Sequence, residues 1–250
     1  MAASIIDVEN LTVSYGNRPA LLDINFSIGP QQLIGIIGPN GSGKSTLLKT
    51  LLGFIKPDFG KIKIYGEPLA RNEGRIAYVP QRSAVDWDFP ITVQEVAMMG
   101  RYQYIPWWKE ASARDYEIVE QAMKTVRVLD LSKHQIGELS GGQQQRVFMA
   151  RALAQQSSIL LLDEPFAGVD AATERAILDV LKSAKESGKT LIVVHHDLTT
   201  AAEYFDQLIL IKQRLYAFGS PKIVLQEELL HQVYEGKLRI FSDIVISKKG

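Results

Sequence analysis

Short runs of apolar, β-rich sequence recur along the chain, at residues 5–8, 33–37, 75–79, 159–162, 190–194 and 208–211, with an alternating run at 61–65. Several are apolar at every position. That pattern fits strands buried on both faces of a mainly parallel sheet, although a short apolar run by itself also fits a buried helix. Helical periodicity lies between them: in 173–185, Ile177, Val180, Leu181 and Ala184 share one face. The alternation predicts an α/β fold. From about residue 85 to 157 the strand signals stop, and Val119, Ala122, Met123 and Val126 form another helical stripe. The expectation is one domain over 1–250, with an α/β core from about 1–84 and 158–250 and a helical subdomain over about 85–157. Near the end, 208–211 and 215–218 flank Lys212-Gln213-Arg214 as a hairpin, then come a short helix and a tail alternating over 240–246.

Composition narrows this picture without changing it. Apolar residues make up 46% of the 250 residues and charged residues 22%, which is the balance of a globular protein and not of a disordered one. Lys plus Arg and Asp plus Glu each number 28, so no global charge draws the chain to nucleic acid or anionic lipid, and any polyanion must be held locally. The absence of cysteine suits a reducing cytoplasm. The first ten residues lack the basic start and long apolar run of an export signal. No apolar run approaches the roughly 20 residues that span a bilayer, so membrane work would need another chain.

The strongest local signal is Gly38-Pro39-Asn40-Gly41-Ser42-Gly43-Lys44-Ser45, followed by Thr46, between the strand at 33–37 and a helical stretch at 46–52. Glycines at these positions let backbone N–H groups turn inward around an anion, and the helix that follows adds free donors and its positive dipole end. Phosphate is the anion this suits. Lys44 would meet the β- and γ-phosphates and Ser45 a Mg²⁺. A second signal is the apolar run 159–162 ending in Asp163-Glu164, two carboxylates where a buried strand emerges. Asp163 is placed to hold Mg²⁺ and Glu164 to polarise an attacking water. The strand at 190–194 ends in His195-His196-Asp197, which brings a titratable imidazole to a strand end as well. A histidine there is either catalytic or a capping or core residue. No Cys or third His stands near enough for a zinc site.

Leu139-Ser140-Gly141-Gly142-Gln143 precedes a predicted helix over 144–154 and supplies a second hydroxyl and glycine-borne set of donors at a helix start. With this pentapeptide the sequence resembles the ATP-binding subunits of ABC transporters, and the resemblance runs in order along nearly the whole chain. The phosphate loop is that family's Walker A, Leu139 to Gln143 its signature, and the run ending Asp163-Glu164 its Walker B. The resemblance implies a P-loop NTPase core with an N-terminal antiparallel β part and a helical signature subdomain. It assigns Tyr15 to stacking on adenine, Gln81 to a loop that senses the γ-phosphate and Mg²⁺, His196 to the switch histidine and Asp170 to the D-loop. Taken singly, Tyr15 reads as a strand-edge aromatic, Gln81 as a loop residue and Asp170 as a helix cap. The D-loop departs from the family's frequent Ser-Ala-Leu-Asp, having Ala167-Gly168-Val169-Asp170.

The resemblance further implies ATP and Mg²⁺ as cofactors and catalytic roles for Glu164, His196 and Gln81. Ser45, Gln81 and Asp163 would serve the Mg²⁺. Two ATP-binding subunits, expected to be identical, would close head to tail. Ser140, Gly141, Gly142 and Gln143 of one would then cap the phosphates held by the other. Integral-membrane permease subunits and an extracytoplasmic metal-binding protein complete the expected partners, with no nucleic acid, at the cytoplasmic face of the plasma membrane. Residues 85–90, Val-Asp-Trp-Asp-Phe-Pro, resemble the branch that imports manganese, zinc or chelated iron. The alternative is a soluble ABC-type ATPase acting on nucleic acid or ribosomes, which predicts heptad arms, a basic face or tandem cassettes.

Overall fold

A computed structural model describes residues 4–71 and 74–234, and the expected tail alternation at 240–246 lies outside the described residues. Two compact units make up the chain: one joins 1–72 with 192–250 and the other covers 73–191.

In the first unit, β1 (Ile6–Tyr15) and β2 (Arg18–Ile28) form a long antiparallel hairpin. After β3 (Leu33–Ile37) and α1 (Lys44–Leu51), β4 (Phe59–Ile64) pairs with the other edge of β1 and carries the two-residue β5 (Glu67–Pro68). This gives a four-stranded sheet in the order β2-β1-β4-β5. The ladder of β1 and β2 alternates side chains to a face closed by Ile6, Val8, Leu11, Val13, Leu21, Ile24 and Ile28, all buried. Hairpin length was not apparent from the sequence, because register shifts around Val8, Leu11 and Val13 interrupt the alternation.

The second unit begins with β6 (Ile76–Val79), continues through α2 (Val93–Met98), α3 (Ala113–Thr125) and α4 (Gly141–Ala154), and returns through β7 (Ile159–Asp163) and α5 (Ala171–Glu186). It takes in the helical segment expected over 85–157, together with parallel β6 and β7 and the helix α5. Val119, Ala122 and Met123 of α3 and Val147, Met149 and Ala150 of α4 are buried, as a stripe of apolar positions at helical spacing requires. Arg101 lies buried among these helices, donating to Asp115, the Ala154 carbonyl and Gln156.

Strand β8 (Thr190–Val194) begins at the end of the second unit and finishes in the first. There follow α6 (Leu198–Tyr204), β9 (Gln207–Lys212), β10 (Arg214–Gly219), α7 (Pro221–Val224) and α8 (Glu227–Tyr234). In the first unit β9 runs parallel to β3 and antiparallel to β10. Strands β3, β7 and β8 are buried at every position, which is why they read as unbroken apolar runs.

Candidate nucleotide site

Ile36 and Ile37 end β3 in the core, and the chain then turns through the phosphate loop into α1. Two glycines are obligatory by space as well as by backbone. A Cβ at Gly38, whose φ is +153°, would collide with the Ile211 carbonyl oxygen, and one at Gly43, φ +101°, would stand 2.7 Å from the Ala20 carbonyl oxygen. The loop is backed by β2 and the β9–β10 turn: the Gln213 amide donates to the Ser42 carbonyl at 2.8 Å, and the Leu22 amide donates to the Gln213 carbonyl at 2.7 Å. Lys44 is 5% exposed and its ammonium donates to the Gly38 and Pro39 carbonyls at 2.8 and 3.0 Å, so its charge sits inside the loop. Ser45 and Thr46 occupy the first turn of α1, whose N-terminal amides face the loop side. Tyr15, at the end of β1 and mostly exposed, has its hydroxyl 3.5 Å from Thr46 Oγ1. The structure thus brings Tyr15 beside Thr46, in the first turn of the helix that the glycine-rich loop leads into.

The resemblance assigns the switch role to His196, and in the structure the two histidines have different surroundings. The His195 amide donates to the Ile36 carbonyl, which fixes the end of β8 beside β3. Its ring is buried, packed on Tyr204 and Phe205 at 5.9 and 5.4 Å between centroids, with Nε2 2.8 Å from Thr200 Oγ1. Burial pushes its pKa down to about 4, against an opposing pull from Asp197, so it is a neutral core histidine. His196 is the exposed member of the pair. Asp197 caps α6 through the Thr199 amide.

In the second unit, Asp163 ends β7 almost fully buried and Glu164 follows it with φ +53°, a left-handed conformation that costs energy in a non-glycine residue and is typical of constrained functional turns. Gln81, just after β6, donates from Nε2 to Glu164 Oε2 at 2.9 Å. Tyr78 on β6 has its hydroxyl pKa pushed up to about 12 by burial and, secondly, by the Asp163 charge. Ser140 caps α4: its hydroxyl accepts from the Gln143 amide, and the Gln143 side chain accepts from the Ser140 amide. The helix therefore starts at Gly141, three residues earlier than the expected 144, because the capping box lets two glycines begin it. Asp170 caps α5, accepting from the Thr173 amide and hydroxyl at 2.9 Å each. Thr173 in turn fills the space beside Gly142, where a Cβ would come 2.6 Å from Thr173 Cγ2. The signature turn and the D-loop aspartate are thus neighbours through one threonine.

Magnesium is a hard ion that keeps waters and phosphate oxygens and takes few protein oxygens. The hydroxyl of Ser45, the carboxylate of Asp163 and the amide oxygen of Gln81 are donors of that kind. Among the described residues no group of three or more His, Cys, Asp or Glu forms a self-sufficient metal cluster. Sequence reasoning missed Arg82 and Gln144, whose Nε–H and Oε1 meet at 3.0 Å beside the signature turn. A loop arginine and a helix glutamine carry no periodic or motif signal that would have singled them out.

A lysine-bearing phosphate loop in the first unit, and in the second an acidic strand end held by a glutamine and a glycine-led helix, are each features of an ATP-binding cassette. The family described as ABC transporter matches residues 21–167, and the chain belongs to it. It is 49% identical over 243 residues to the manganese transport system ATP-binding protein MntB of Bacillus subtilis, covering 97% of each chain. It is 46% identical to the zinc transport system ATP-binding protein TroB of Treponema pallidum, covering 94% of this chain and 89% of that one. Among solved structures it superposes with a TM-score of 0.80 and 26% identity on the ADP conformation of MJ1267, an ATP-binding cassette of an ABC transporter, over 94% of this chain and 99% of that one. The corresponding figures for cbiO1 of Clostridium perfringens, part of the ABC transporter complex cbiONQ, are 0.79 and 26%, over 98% and 99%. The fold is that of an ABC ATPase, a P-loop NTPase of the α/β class. The chain is a nucleotide-binding ATPase subunit whose hydrolysis is coupled to transport. No described helix is long and apolar enough to cross a membrane.

Proposed function

We propose that this chain is the motor of an importer for a transition-metal ion, manganese, zinc or chelated iron, working at the cytoplasmic face of the plasma membrane as one of two identical ATP-binding subunits. The observation that carries the substrate class is the near-half identity, over almost the full length, to ATP-binding proteins named for manganese and zinc transport. The same comparisons favour transport over action on nucleic acid or ribosomes.

The chemistry is transfer of the γ-phosphoryl group to water, in which positioning and charge stabilisation do most of the work. The Gly38–Thr46 loop binds the phosphates through backbone amides and Lys44, and Tyr15 takes the adenine ring on its face. Ser45, Asp163 and Gln81 would hold Mg²⁺, which when bound would supply charge neutralisation on the phosphate oxygens. Glu164 accepts the proton of the attacking water, Gln81 keeps that carboxylate oriented, and His196 helps place the water. Ser140, Gly141, Gly142 and Gln143 complete the site of the partner copy, with Asp170 beside them. ATP therefore closes the pair, and its hydrolysis opens it. The permease receives that movement through the segment around 85–90. An extracytoplasmic metal-binding protein would deliver the ion, which never touches this chain.

The test is uptake of radioactive manganese or zinc into vesicles that contain the permease, with this chain supplied from the ATP side. Uptake that requires ATP and fails with Lys44→Ala supports the reading. Recovery of the chain only with ribosomes or DNA, and no uptake, contradicts it.

A further inference from the structure

We propose that Arg82 is a positioning residue that links the water-activating carboxylate Glu164 to the signature turn of the same copy. The turn offered to a partner's ATP then depends on the state of the home site. This inference rests on the ATPase reading above and goes beyond it in naming the link.

Gln81 and Arg82 share one tight turn. Gln81 precedes a single 3₁₀ turn, Arg82–Ala84, closed by the Ala84 amide on the Gln81 carbonyl at 3.0 Å and the Val85 amide on the Arg82 carbonyl at 3.3 Å. The backbones of Gln81 and Arg82 are therefore held by the same turn. On one side Gln81 donates to Glu164. On the other, Arg82 Nε donates to Gln144 Oε1 at 3.0 Å, and Gln144 is itself buried and pinned through its Nε2 to the Ile136 carbonyl at 3.1 Å. The guanidinium also lies over Gly141, where an added Cβ would stand 3.1 Å from Arg82 Nε and Cζ. Arg82 therefore bonds to Gln144 in the first turn of α4 and lies close to Gly141, three residues earlier in the same turn and a glycine of the signature itself.

Trp87 holds the arginine from behind. Its indole N–H donates to the Arg82 carbonyl at 2.9 Å, its ring lies 5.8 Å from the guanidinium carbon, and it meets Phe148 of α4 edge-on at 5.2 Å. Glu164, Gln81, Arg82 and the start of α4 thus form one continuous chain of contacts, through which the state of Glu164 reaches Gly141 and Gln144. Bland surface solvation of Arg82 would not need a fixed Gln144, a glycine beneath the guanidinium, or the indole bond to its carbonyl.

The experiment compares the full-length chain with Arg82→Ala, Arg82→Gln, Gln144→Ala and the Arg82→Ala/Gln144→Ala double variant. ATP dissociation constants come from titration and kcat from phosphate release. Each single alanine variant is expected to lower kcat about tenfold, leave the ATP dissociation constant within about twofold, and show no further loss on combination. Arg82→Gln, which keeps an N–H donor, recovers part of the rate. Wild-type kcat in Arg82→Ala, losses that multiply in the double variant, or weakened ATP binding in proportion to rate would each overturn the proposal. If Arg82→Ala fails to fold, Gln144→Ala and the Arg82→Gln/Gln144→Ala double variant decide: a loss of about tenfold in Gln144→Ala with no further loss on combination is expected, and wild-type kcat in Gln144→Ala or losses that multiply overturn the proposal. Failure of the ATPase reading is distinguishable, since the wild-type chain would then release no phosphate and Lys44→Ala would change nothing.

Discussion

The Gln81 side-chain amide nitrogen stands 2.9 Å from Glu164 Oε2, so the carboxylate assigned to water activation is held by a residue two positions beyond β6. Because Glu164 also sits at φ +53°, its orientation is set by backbone and partner together.

Glu164→Gln keeps the size and the Gln81 contact but removes the base. ATP binding is expected to remain within a few-fold of wild type while kcat falls at least about a hundredfold, the usual worth of a general base. Phosphate release under ATP saturation measures this. Turnover near wild type would remove Glu164 from its role.

Much of this site is visible in the residues themselves. Leu33 to Ile37 and Ile159 to Asp163 are buried on both faces, so their apolar runs and the motifs at their ends could be read directly. The hairpin of β1 and β2 was obscured because Asn10 and Asp23 take left-handed backbone and the register shifts break its alternation. Residues such as Arg82 and Gln144 become functional candidates only through a contact between segments 62 residues apart, which no local pattern encodes.

Gly38→Ala places a methyl group against the Ile211 carbonyl oxygen and strains a backbone at φ +153°. Strain of about 1–3 kcal/mol falls on the phosphate loop, which corresponds to ATP affinity lower by about tenfold or more. Calorimetric titration with ATP reads the loss, and thermal unfolding checks that the chain stays folded. Unchanged affinity would mean the loop binds no phosphate.

His195 couples stability to pH. Its pKa is about 4 when folded, from burial, against about 6.5 when unfolded. The unfolded chain therefore takes up a proton that the folded one refuses, so the stabilisation is complete above pH ~6.5 and is lost as pH falls towards 4, up to about 3 kcal/mol. Urea unfolding at pH 7.5 and 5.0 measures the slope, and His195→Leu should flatten it. An equal slope in that variant would assign the effect elsewhere.

The most direct test of the central claim, that one copy's phosphate loop and another copy's signature turn share one ATP, uses the absence of native cysteine. Two differently tagged copies are mixed, one carrying Asn40→Cys and the other Ser140→Cys, both with Glu164→Gln to hold ATP. Oxidation in the presence of ATP is expected to yield the crosslinked heterodimer, and much less without nucleotide. Equal crosslinking with and without ATP, or none at all, would contradict the account.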